Sequence, residues 1–189
     1  MSKTKAEKRL PPQKSPSKKE TWIAYVSTFP PRKCGIATFT EDLTRAMDVL
    51  LAPAIKSKIV AMNRDDVTRY HDPRKVILQI NQDRDSDYLR AANSLNRRDE
   101  VQLVNIQHEF GIFGGEWGAK LILFLQALKK PRVITFHTVL PDPSKKLRTV
   151  VQALAEHTEG ITVMTQRSKA ILQGDYGIAP AKIRVIPHG

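Results

Sequence analysis

Val101-Gln-Leu-Val-Asn-Ile106 runs directly into Gln107-His-Glu-Phe-Gly-Ile-Phe-Gly-Gly-Glu-Trp-Gly118, and that junction decides the fold. The first six residues are apolar except Gln102 and Asn105, as expected of a strand covered on both faces. The next twelve carry four glycines and three aromatic residues, the composition of a loop built to bend or to let a ligand approach backbone. A buried strand that opens into such a loop is the unit of a parallel sheet whose strand ends carry function.

The same unit repeats on either side. Trp22 to Thr28 is a β-rich run stopped by Phe29-Pro-Pro-Arg-Lys33, since two prolines cannot continue a central strand. Gly35 follows, and then Ile36, Phe39, Leu43, Met47 and Leu50 recur at helical spacing over Ile36 to Leu51. Thr38 or Thr40 is the expected cap, and Glu41 and Asp42 are expected in the first turns. Further strands are predicted at Ile55 to Met62, Val76 to Ile80, Pro131 to Phe136, Gly160 to Met164 and Ile183 to Ile186. The intervening helices are predicted at Asp85 to Leu95, Ala119 to Lys129, Lys145 to His157 and Gln166 to Gly174, the last ending on a left-handed Gly174. Asn63 to Arg74 reads as a polar loop. Strands alternating with helices predict an α/β, doubly wound, Rossmann-like parallel sheet, with every strand's carboxyl end on one edge.

Composition narrows the partners. The 189 residues carry a formal charge of +12, and residues 1–20 hold seven Lys or Arg against two Glu with almost nothing apolar. That stretch cannot offset its ordering entropy by burial and is expected to be a disordered basic tail, with residues 21–189 forming one domain. Contact of the tail with an anionic membrane surface stays open. It lacks the apolar centre of a secretory signal, and no run is long enough to span a membrane. Positive charge suits nucleotide diphosphates, phospholipid surfaces or nucleic acid, but no helix-turn-helix, zinc finger or RNA-binding aromatic signature supports nucleic acid. The single cysteine, Cys34, excludes an internal disulfide and cysteine-cluster metal sites, and points to a reducing cytoplasm. No metal and no cofactor is expected.

Three loops fall on the functional edge. In the first, Arg32, Lys33 and Gly35 fit an anion held at a helix start, against the plainer reading of a tight turn with solvated bases. No Gly-x-Gly-x-x-Gly or P-loop spacing is present. In the second, His108 and Glu109 fit a pair that titrates near neutral pH or binds a sugar hydroxyl, or else a histidine anchoring its own loop. Gly114 and Gly115 belong to the same loop, and Phe110, Phe113 and Trp117 fit either ring stacking or packing. In the third, His137 closes the run Thr135-Phe136. His71 and His157 are expected at the surface.

With these residues in view, the chain resembles the amino-terminal domain of family 4 type retaining glycosyltransferases, which have the two-domain GT-B fold. The resemblance lies in Ser27-Thr-Phe-Pro-Pro-Arg-Lys-Cys-Gly-Ile-Ala-Thr-Phe-Thr40, Gln107-His-Glu-Phe-Gly-Ile-Phe-Gly-Gly115, Val133-Ile-Thr-Phe-His-Thr138 and Arg184-Val-Ile-Pro-His-Gly189. It implies an acceptor-side domain, with a carboxyl-terminal donor domain expected beyond Gly189. It also implies transfer of a hexosyl group from a nucleotide diphosphate sugar to a sugar, lipid or small-molecule acceptor, with retention and without a divalent metal. Gly35, Arg32 and Lys33 would face the donor diphosphate, His137 would act at the reacting sugar, and His108, Glu109, Gly114 and Gly115 would line the acceptor side. Where the family shows two glycines in the first loop, this sequence has Cys34-Gly35. The alternative is a stand-alone, non-catalytic carbohydrate- or nucleotide-binding module.

Overall fold

A computed structural model describes residues 20–65 and 68–188. All of the expected tail but Glu20 lies outside the described residues, as do positions 66 and 67 of the polar loop and Gly189. Seven strands form one parallel sheet: β1 (Thr21–Ser27), β2 (Ile55–Asn63), β3 (Val76–Asn81), β4 (Val101–His108), β5 (Arg132–Phe136), β6 (Gly160–Val163) and β7 (Ile183–Val185). Their order is β3-β2-β1-β4-β5-β6-β7, so the chain winds outward one way from β1 to β3 and then jumps back to β4.

That reversal sets the layers. Right-handed crossovers in opposite directions put their connections on opposite faces. Four helices, α2 (Asp85–Asn96), α3 (Leu121–Ala127), α4 (Lys145–Glu156) and α5 (Gln166–Gly174), share the large core with Val26, Val60, Ile106, Ile134 and Phe136. Helix α1 (Gly35–Leu51) lies over the other face, where Tyr25, Ile59, Ala61 and Val76 form a smaller core joined by Leu43, Phe29 and Tyr70. Strand alternation divides the two cores, as when Ala24 and Val26 face one and Tyr25 faces the other. Among the described residues no helix is long and apolar enough to cross a membrane.

Helix α1 departs from its sequence reading. The apolar stripe is only half-buried at Ile36, Phe39, Leu43 and Met47, and Leu50 is 76% exposed; the fully buried residues are Ala37, Thr40 and Thr44. Small side chains let the helix settle close on the sheet. There the hydroxyls of Thr40 and Ser27 meet at 2.7 Å, and the Ser57 hydroxyl donates to the Thr44 carbonyl at 3.4 Å. Thr40 is therefore no cap: its hydroxyl also donates to the Ile36 carbonyl at 2.7 Å, inside the helix. The cap position is Cys34, with no side-chain bond, and the first turn holds no acid. Side-chain caps do start α4 and α5, where Ser144 accepts from Leu147 N and Thr165 from Ser168 N. Helix α5 ends at Gly174 as expected, but the left-handed residue is Gly177, with φ 68°. Gly174 takes no such angle, because Asp175 continues the helical conformation at the cap.

Candidate active site

The crevice forms where the strand order reverses, between the carboxyl ends of β1 and β4, as open parallel sheets favour. On its β1 side, the chain passes Pro30 and Pro31 and turns into α1. Arg32 lies partly buried and donates from Nη1 to the Met62 carbonyl at 3.3 Å. Among the described residues no carboxylate forms an ion pair with it. Burial lowers the pKa of its guanidinium, with Cys34 opposing and Arg64 adding to the fall. Arg32, Lys33, Cys34 and Arg64 line a hollow of about 300 Å³, with Asp65 as its one acid. A cation half out of water and bonded to one backbone carbonyl is suited to attract an anion. Gly35 opens α1 beside it, exposed, and a Cβ there would meet nothing within 4 Å. Packing does not demand that glycine; it leaves the backbone bare at a helix start.

His137 follows β5 on the α1 side of the sheet. Its backbone N–H donates to the His108 carbonyl at 3.0 Å, and its Nε2 lies 2.8 Å from Gln107 Oε1. Phe39 of α1 presses against the imidazole edge to face, with centroids 4.8 Å apart, and lies 5.3 Å from His188. Burial lowers the His137 pKa, Glu109 raises it, and His188 lowers it further. A cavity of about 130 Å³ adjoins, lined by Phe39, Leu43, Gln107, Thr135, Thr162 and His188 among others.

His108 points into the opposite core. It has no exposed surface, its ring lies 5.1 to 5.5 Å from those of Phe110, Phe113 and Phe136, and neither ring nitrogen has a hydrogen-bond partner. Burial pushes its imidazole down to about 3. The expectation of a near-neutral titrating pair is thereby corrected, since a ring sealed among aromatics stays neutral. In this arrangement His108 packs its own loop and meets no open surface. Glu109 accepts from the Phe110 N–H at 2.9 Å and from the Thr138 hydroxyl at 2.6 Å, lacing the β4 loop to the β5 loop. Gly114 is buried; its N–H donates to the Tyr88 hydroxyl at 3.0 Å, and a Cβ there would sit 1.9 Å from the Gln82 carbonyl oxygen. Gly115, at φ 77°, is exposed and left-handed. Phe110 and Trp117 pack edge to face at 5.5 Å.

The first loop, Glu109 and His137 therefore share one edge, with Phe39 linking α1 to the imidazole. His71 is exposed, and His157, at the end of α4, is half-buried. Among the described residues no three His, Cys, Asp or Glu converge as metal ligands. Sequence reading missed Gln107, Thr138, Phe39 and His188. For Gln107 a signal existed: its neighbour His108 takes one face of β4, so alternation sends Gln107 to the other.

Comparison with known proteins bears on the family and the fold. The family model described as Glycosyltransferase Family 4 matches residues 35–189. No curated protein sequence matches the chain. Among solved structures, a glycosyltransferase from Rickettsia africae ESF-5 superposes with a TM-score of 0.61 at 15% identity. The match covers 90% of this chain and 43% of that one, so the chain spans less than half of its solved counterpart.

Proposed function

Because the chain belongs to Glycosyltransferase Family 4, we propose that it forms the acceptor-side wall of a cleft in which a sugar passes from a nucleotide diphosphate sugar to an acceptor hydroxyl, with retention. A second, donor-holding domain supplies the facing wall. Support comes first from the carboxyl edge, where the part-buried guanidinium of Arg32, the open backbone at Gly35 and the imidazole of His137 all lie. As the bond from the anomeric carbon to the diphosphate breaks, negative charge grows on the leaving oxygen. Arg32, Lys33 and the start of α1 are suited to stabilise it. The neutral His137 acts there as a hydrogen-bonding group on the reacting sugar.

The observation that carries the reading is the fixed placement of His137, held between Gln107 and Phe39, both of which line the neighbouring cavity. Its test is replacement of His137 by Ala in the natural protein containing this domain, with labelled nucleotide sugars and candidate acceptors. Turnover should fall on the order of 100-fold or more, while the melting temperature barely moves. Normal turnover with a large loss of stability would make His137 structural. Nucleotide or sugar binding without any transfer by the natural protein would favour the non-catalytic module.

A further inference from the structure

Gln107 is 1% exposed, and both ends of its carboxamide are engaged. Its Nε2 donates to Asn105 Oδ1 at 2.6 Å, which leaves Oε1 as the acceptor 2.8 Å from His137 Nε2. An amide oxygen cannot donate, so the proton of that second bond belongs to the histidine. The other ring nitrogen, Nδ1, has no hydrogen-bond partner among the described residues and is not one of the sealed, unsatisfied atoms. Phe39, packed edge to face at 4.8 Å, opposes rotation of the ring out of this arrangement.

We propose that Gln107 is a positioning residue that holds His137 as the neutral tautomer protonated on Nε2, leaving the Nδ1 lone pair as the ring's free acceptor. The ligand chemistry follows: Nδ1 in this state receives a hydrogen bond, so it faces a hydroxyl of the sugar or the acceptor rather than a phosphate oxygen, which only accepts. The inference rests on the catalytic reading of His137 given above and adds which nitrogen works and what fixes it. Glu109, His188 and the buried His108 are the other titratable groups that bear on the ring, and among the described residues none of them hydrogen-bonds Nε2, whose partner is Gln107 Oε1.

The test is long-range proton–nitrogen NMR of the chain with nitrogen-labelled histidines, His137 being assigned from a His137→Asn variant. At pH 7 the ring should be protonated on Nε2 alone. In Gln107→Met, which keeps side-chain length and loses the acceptor, it should relax to a mixture of tautomers. In Gln107→Glu, whose carboxylate favours the charged ring, the His137 midpoint should rise by about one pH unit or more. A ring protonated on Nδ1 in the unaltered chain overturns the proposal, as does an unchanged tautomer in folded Gln107→Met. Should Gln107→Met fail to fold, an unmoved midpoint in Gln107→Glu overturns it equally. In the natural protein, Gln107→Met should lower kcat about 10- to 100-fold with little change in KM, and Gln107→Glu should recover part of that loss. Full transfer by His137→Asn removes the catalytic reading and the positioning role with it. Loss of transfer in His137→Asn beside an unaltered kcat in folded Gln107→Met removes the positioning role alone.

Discussion

Arg32 carries a partly dried charge with no carboxylate ion pair among the described residues, so on the proposed reading an arriving anion offsets part of its desolvation cost. Arg32→Met should weaken binding of a nucleoside diphosphate about tenfold or more, measured by calorimetry, and should leave the melting temperature level or raised. Equal affinity in the variant would remove the residue from the site. His108 makes the opposite prediction, one of stability. Its ordinary value of 6.5 falls to about 3 in the folded chain. Below 6.5 the unfolded chain takes up a proton that the folded chain refuses, so the contribution is complete above 6.5 and erodes as pH falls toward 3. The slope is about 1.4 kcal/mol per pH unit for this one group. Denaturant midpoints at pH 7 and pH 5 should therefore converge in His108→Leu relative to the unaltered chain. Parallel losses in both proteins would show that the ring is not refused its proton.

At the scale of elements, two glycines that look alike in sequence part company. Gly114→Ala puts a carbon against the Gln82 carbonyl and should destabilise by about 3 kcal/mol, seen as a fall in thermal midpoint. Gly35→Ala meets open space at a helix start and should keep or slightly raise stability while weakening nucleotide binding. The reverse pattern would exchange their roles. Strand positions were legible because buried parallel strands leave near-continuous apolar runs, and β4 was visible from Val101 to Ile106. The face of α1 was legible only in part, through Ile36 and Leu43. Apolar period counts the large residues, whereas the helix seats on Ala37, Thr40 and Thr44, whose virtue is being small. The edge location of His137 followed from topology alone. Its partners did not, since Gln107 and Phe39 come together only after two crossovers.

For the whole molecule, the doubled winding matters most. By reversing between β1 and β4, the sheet opens its crevice beside the basic hollow and gives α1 a face to itself. On the proposed reading this edge is one wall of the cleft; the chain spans 43% of its solved counterpart. The 189-residue chain alone, incubated with radiolabelled nucleotide sugars and acceptors, should yield no transfer product. Product formed by it would show that a single wall suffices.

One rod touches both ends of the proposed chemistry. Helix α1 begins at the backbone proposed to receive the anion and, one turn later, leans on the His137 imidazole through Phe39. Its hydroxyl-lined seat on the sheet at Thr40 and Ser27 gives that rod a bearing, not a greased joint. A ligand held at its tip and the ring of His137 therefore rest on the same helix, with no loop between them.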